Sequence, residues 1–181
     1  MLEDYKVRKP PVVLALFVLY TLAILFLLVI PNSYRTHNVL VGGLTWEQWE
    51  AYIAHNWNLV PFRSIGEQMG SIFAGDGVAR NLVYLAGNIL GFVPLGFFLP
   101  SLISRQRRFA AFVVTVVLSV TCLELAQLMT MRGSFDIDDI ILNTGGACLG
   151  FWILRKSVKY VRDAPHHAAR RSAATVIGKL K

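Results

Sequence analysis

Residues 109–131 read FAAFVVTVVLSVTCLELAQLMTM, a run that carries a single charge, Glu124. As a helix it spans roughly 34 Å, enough to cross a hydrocarbon core of about 30 Å. Three further blocks have the same character. The block at 12–30, VVLALFVLYTLAILFLLVI, holds no charge. Pro10 and Pro11 sit where a helix start tolerates a missing N–H, and Pro31 marks the end. The block at 81–103, NLVYLAGNILGFVPLGFFLPSLI, contains Pro94 and Pro100, which neighbouring helices tolerate inside a membrane. The block at 139–155 is DIILNTGGACLGFWILR. The predicted fold is an all-α membrane protein, a bundle of four transmembrane helices.

Composition agrees. Of 181 residues, 55% are hydrophobic and 16% charged, well below the quarter or so of charged residues in a soluble domain. Cys122 and Cys148 both lie in apolar blocks, where a thiol acts as a small hydrophobe and no disulfide framework is read. The net charge of +7 sits in residues flanking the apolar blocks. That distribution points to membrane topology, and no nucleic-acid partner is expected. Residues 1–162 are read as one transmembrane domain and 163–181 as a mobile basic tail suited to anionic lipids. Lys6, Arg8 and Lys9 resemble a signal-peptide n-region, but the apolar run behind them is too long and lacks a small-x-small cleavage site, so an uncleaved anchor is expected.

Orientation follows from lysine and arginine. The N-terminal cluster, the loop with Arg105, Arg107 and Arg108, and the tail from Arg155 to Lys181 hold 14 basic residues. The other side holds four: Arg35, Arg63, Arg80 and Arg132. The positive-inside rule places both termini in the cytoplasm. Residues 31–80 are then external. Within them Thr45 and Gln48 fit a capping box ahead of Trp46, Trp49, Ile53 and Trp57, one helical face. An amphipathic helix over about 45–57 is expected, lying on the outer membrane surface or packed on the bundle top. Gly87 with Gly91, and Gly146 with Gly150, form GxxxG motifs, so the second and fourth spans are expected to pack closely, and the same faces offer a route to a homo-oligomer.

Polar side chains gather at one level, in the outer halves of the spans. Asn81, Tyr84 and Asn88 share a face of the second span. Glu124 and Gln127 share a face of the third. Asp139 and Asn143 begin the fourth, after a turn with Arg132, Asp136 and Asp138. An ionisable residue inside hydrocarbon is a functional candidate by default, and Glu124 needs Arg132, Arg63 or a proton as partner. Against this, Asp136 suits the N-cap of the fourth span and Asp138 and Asp139 its positive dipole end, which would account for the aspartates without a ligand. Asn81 and Asn88 would equally serve as links between helices.

At these residues the chain resembles a known family. The runs NLVPFRSI (58–65), GNILGFVPLGFFLP (87–100) and ELAQLMTMRGSFDIDDIILNTGGACLG (124–150) look like the VanZ-like family, over roughly residues 13–155. The resemblance implies a bacterial envelope setting, and its founding member is linked to resistance to the glycopeptide teicoplanin.

The leading functional expectation is binding or modification of a ligand at the outer leaflet of a bacterial plasma membrane. A cell-wall precursor lipid, a glycolipid or a lipoglycopeptide fits that location, alongside membrane lipids. The ligand-binding candidates are Arg63, Asn81, Tyr84, Asn88, Glu124, Gln127, Arg132, Asp136, Asp138, Asp139 and Asn143. Arginine suits phosphate or carboxylate. The rival is a membrane-embedded enzyme with Glu124 as general acid or base and Asp136, Asp138 and Asp139 as weak candidates for a hard divalent ion. No nucleophile or HExxH motif supports catalysis, and no cofactor is expected. A structural membrane partner is the third reading.

Overall fold

The computed structural model describes residues 11–29, 45–131 and 133–179, with side chains over 11–27, 45–131 and 133–160. The basic residues at 6–9, Pro10, Pro31, Arg35, Arg132 and Lys181 lie outside the described residues. In chain order the elements are α1 (Pro11–Val29), α2 (Trp46–His55), β1 (Trp57–Asn58), α3 (Arg63–Phe73), α4 (Val78–Leu102), a 3-10 turn (Ser104–Arg107), α5 (Phe109–Met129), β2 (Phe135–Asp136) and α6 (Ile137–Lys179). Among the described residues, three stretches are long and apolar enough to cross a membrane: α4, α5 and Ile137–Tyr160 of α6. The apolar part of α1 with described side chains is shorter, Pro11–Leu27. This is an all-α membrane protein.

The core follows helical periodicity. Phe112, Val116 and Val120 on α5 recur every fourth residue, are fully buried, and pack with Ala147 and Phe151 of α6 and Leu99 of α4. The opposite faces carry Leu82, Leu90, Val114 and Leu118 outward. Large apolar side chains on the outside of a helix bundle fit a hydrocarbon solvent.

Helices α4 and α6 touch backbone to backbone. A Cβ on Gly146 would lie 1.9 Å from the Ile89 carbonyl oxygen, and one on Gly150 would lie 2.0 Å from that of Val93. On the α4 side the close approach is made by Gly96, whose Cβ would lie 2.2 Å from the Ala147 oxygen. The close packing expected of these two helices is present, but its α4 glycine is not one of the GxxxG pair. Gly87 and Gly91 face open space, because the α4 face that meets α6 runs through Ile89, Val93 and Gly96. α1 leans on α4 elsewhere, where Tyr20 Oη donates to the Gly91 carbonyl at 2.9 Å and Phe17 stacks obliquely on Phe98.

The capping box at α2 forms as its sequence predicts. Thr45 Oγ1 accepts from the Gln48 backbone N–H, and the Gln48 side chain accepts from the Thr45 N–H. Its apolar stripe is shorter than predicted. The helix ends at His55, and Trp57 belongs to β1, its ring against Phe135. The reason is β pairing: the Phe135 N–H donates to the Asn56 carbonyl, and Trp57 and Asn58 run parallel to Phe135 and Asp136. α2 is seated on the bundle end by Trp49 Nε1, which donates to the Met129 carbonyl at 3.2 Å, and by the Tyr52 hydroxyl, which donates to that of Gly133 at 2.8 Å. Helix α3 lies in a stretch for which the sequence pattern predicts no helix. α6 begins two residues earlier than predicted, and its helical backbone runs on past residue 155 through the boundary placed at 162.

Candidate functional site

The start of α4, the end of α5, the start of α6 and the α2–α3 cap all meet at one end of the bundle. Two polar clusters form there, and they do different work.

The first is a clamp between residues 58–65 and 136–138. Asp136 Oδ1 accepts from the backbone N–H of Asp138 at 2.8 Å, which makes Asp136 the N-cap of α6 and explains why the helix starts at Ile137. The same carboxylate accepts from the side chains of Asn58, at 3.0 Å, and Ser64. Asp138, with no exposed surface, reaches the other way. Its oxygens accept from the backbone N–H groups of Phe62, at 2.5 Å, and Ile65, at 3.0 Å. These are donors of the first turn of α3, so Asp138 caps a helix 73 residues away in sequence. Phe62 has a φ of 65°, costly for a residue with a side chain, and the clamp holds it there.

The second cluster lies between α4, α5 and α6. Asp139 Oδ1 accepts from the Tyr84 hydroxyl at 2.5 Å and from Asn88 Nδ2 at 2.7 Å. Glu124 is 4% exposed. Helix α5, which carries it, packs against β2, which holds Asp136, and against α6, which holds Asp139. Glu124 Oε2 has no hydrogen-bond partner among the described residues, nor does Asn143 Oδ1. Asn143 is also 4% exposed. It lies one turn from Ala147 as Glu124 lies one turn from Val120, and that pair shares the core, so the two polar residues occupy the next layer up.

The sequence-predicted residues therefore divide. Tyr84, Asn88, Glu124, Asp139 and Asn143 converge. Asp136 and Asp138 belong mainly to the clamp. Asn81, 2% exposed, donates to the Asp76 carbonyl and ties down the start of α4 instead. Gln127 packs under Gly133. Arg63, weighed as a counter-charge for Glu124, pairs with Glu67 on the exposed face of α3, where an i,i+4 partner is closer than the buried pocket. Arg132 lies outside the described residues. No three His, Cys, Asp or Glu side chains among the described residues converge as a metal cage. Sequence reasoning missed Asn58 and Ser64 as partners of Asp136. The one local signal was Asn58 itself, whose Oδ1 accepts from the Val60 N–H as turn asparagines do.

Next to this layer, α1, α4 and α5 border an apolar cavity of about 250 Å³, whose lining includes Phe17, Tyr20, Phe92, Leu95 and Leu123.

A family model described as VanZ/LLP1 matches residues 17–159. The chain belongs to the VanZ/LLP1 family. The matched stretch begins inside α1 and ends inside α6, so it contains both the clamp and the Glu124–Asp139 pocket. Neither curated proteins nor solved structures give a match. Family membership and the apolar helices together identify a membrane protein of the VanZ-like kind.

Proposed function

We propose that this VanZ/LLP1 protein sits in the bacterial plasma membrane as a four-span bundle with both termini in the cytoplasm, α1 being the fourth span. The α2–α3 cap then lies on the outer surface. On this reading the protein binds, and acts on, a lipid-linked ligand in the outer leaflet, of the class of a cell-wall precursor lipid, a glycolipid or a lipoglycopeptide, and so contributes to glycopeptide resistance. Tyr84, Asn88, Glu124, Asp139 and Asn143 form its site, with Arg132 as a further contact.

The observation that carries the proposal is the Glu124 carboxylate, whose Oε2 is buried with no hydrogen-bond partner among the described residues. An acceptor withdrawn from water and left unpaired is costly, and such a group is retained where a ligand completes it. The cavity beside α1 supplies an apolar surface next to that polar layer, as an amphiphile requires. The binding reading stands ahead of the enzyme reading because Asp136 and Asp138 spend their oxygens on the clamp.

The experiment compares wild type with Glu124→Gln in a glycopeptide-sensitive bacterium at matched membrane levels. Growth against a teicoplanin-type lipoglycopeptide should be protected by wild type and not by the variant. Equal protection by both would remove Glu124 from the site.

A further inference from the structure

The polar cluster between α4, α5 and α6 is rich in acceptors and short of donors. The Tyr84 hydroxyl and the Asn88 amide both donate to one oxygen, Asp139 Oδ1. No other side-chain donor among the described residues bonds to either carboxylate. On the acceptor side, Glu124 Oε2 and Asn143 Oδ1 are both left without a partner, on side chains that are 4% exposed.

Two acids set among core residues of three packed helices ask for a neutralising positive charge, a bound cation or a proton. The described cations do not supply it. Arg63 is engaged with Glu67 in an exposed pair. The Arg80 guanidinium lies over Gly77, at the entrance of α4. A phosphate would add a third negative charge to the same volume. Among the described residues no three His, Cys, Asp or Glu side chains converge as a metal cage, and the nearby Asp136 spends its oxygens on Asn58, Ser64 and the Asp138 N–H. The Glu124 and Asp139 carboxylates suit one compact, hard charge and not a transition-metal cage.

We infer that the group received between Glu124 and Asp139 is a compact cation, either the ammonium head of an amphiphile or a free inorganic cation, and not a phosphate. This rests on the proposed function, in that it takes this cluster to be the ligand site, and it changes what is recognised there: the charge on the ligand matters more than its sugar or phosphate.

The test uses the full chain in lipid nanodiscs and reads thermal melting. The probes are sodium, magnesium and calcium chloride at matched ionic strength, dodecylammonium below its micellar concentration, and monododecyl phosphate as the anionic counterpart. A cation that completes the site should raise the melting temperature saturably, by roughly 5–10 °C near a hundred times its Kd. That rise should vanish in Glu124→Gln and, independently, in Asp139→Asn, so a folding defect in one variant does not decide the matter. A response to inorganic cations identifies a free ion, and a response to dodecylammonium alone identifies an amphiphile head. Stabilisation of wild type by monododecyl phosphate instead would overturn the inference. So would a Glu124→Gln protein that melts low and is restored by Arg132→Gln, because the chain would then supply its own counter-charge. Loss of cellular protection in Glu124→Gln with no cation response rejects the charge assignment while leaving the site in place. Unchanged protection rejects the site itself.

Discussion

The carboxylate of Asp138 accepts the backbone N–H of Phe62 at 2.5 Å, across 76 positions of sequence. This contact, with the second one to Ile65, fastens the start of α3 to the start of α6 and fixes a left-handed backbone at Phe62. The geometry of the whole end of the bundle depends on it. The pocket carboxylate Asp139 is the next residue, so α6 presents one acid to the cap and the adjacent one to α4.

Asp138→Ala removes two charge-assisted bonds, each worth about 1.5–3 kcal/mol, and leaves buried N–H groups unpaired. The protein should melt roughly 6–12 °C lower in detergent, and a protease should cut the 58–63 loop sooner. Asp138→Glu should not restore it, because the extra methylene moves the carboxylate past two amides fixed by the helix. A variant with the wild-type melting temperature would show the clamp to be dispensable.

Asn58 and Ser64 both donate to Asp136. A double-mutant cycle between Ser64→Ala and Asp136→Asn should give a coupling of about 1–2 kcal/mol. The same cycle between Ser64→Ala and Asp139→Asn should give a value near zero, since the aspartate side chains diverge. Equal couplings would mean that clamp and pocket act as one unit.

Gly146→Ala and Gly150→Ala place a methyl against backbone oxygens of α4 that a helix cannot move. Each should cost about 3 kcal/mol or more and lower folded yield. Gly87→Ala and Gly91→Ala meet open space and should be tolerated. If the two pairs behave alike when expression and melting are measured, the α4–α6 contact is misplaced.

Topology is checked by labelling. Ser134 and Ser157 are exposed and lie near opposite ends of the membrane-crossing part of α6. In a Cys122→Ala/Cys148→Ala background, a membrane-impermeant thiol reagent added to whole cells should label Ser134→Cys and spare Ser157→Cys. The reverse pattern would turn the polar layer to the cytoplasm and end the outer-leaflet reading.

Trp46 is 71% exposed, whereas Trp49 is held by the Met129 carbonyl. In single-tryptophan variants, fluorescence at position 46 should be quenched by shallow lipid quenchers more than by iodide, as for a ring at the headgroup level. The emission at position 49 should be the less sensitive of the two. Strong iodide quenching of Trp46 would place α2 in bulk water.

The amino-acid sequence by itself determined the membrane-crossing helices, the capping box of α2, the Asp136 cap of α6 and the level at which the polar side chains lie. These are set by local periodicity, length and charge, which neighbours in sequence suffice to express. It also carried the grouping of Tyr84 with Asn88, since they lie four apart on one helix. What only the tertiary structure decided is which acid does what. Asp136, Asp138 and Asp139 look alike in a row, and rotation about the α6 axis sends two to the α2–α3 cap and one to α4. The partners that separate them, Asn58, Phe62, Ser64 and Tyr84, are more than fifty residues away. In the same way GxxxG spacing marks a backbone that can be approached closely, but which glycines are approached depends on how far each helix is turned about its axis. Gly96 faces α6 and Gly87 does not, because the bundle packs on the row through Ile89 and Val93.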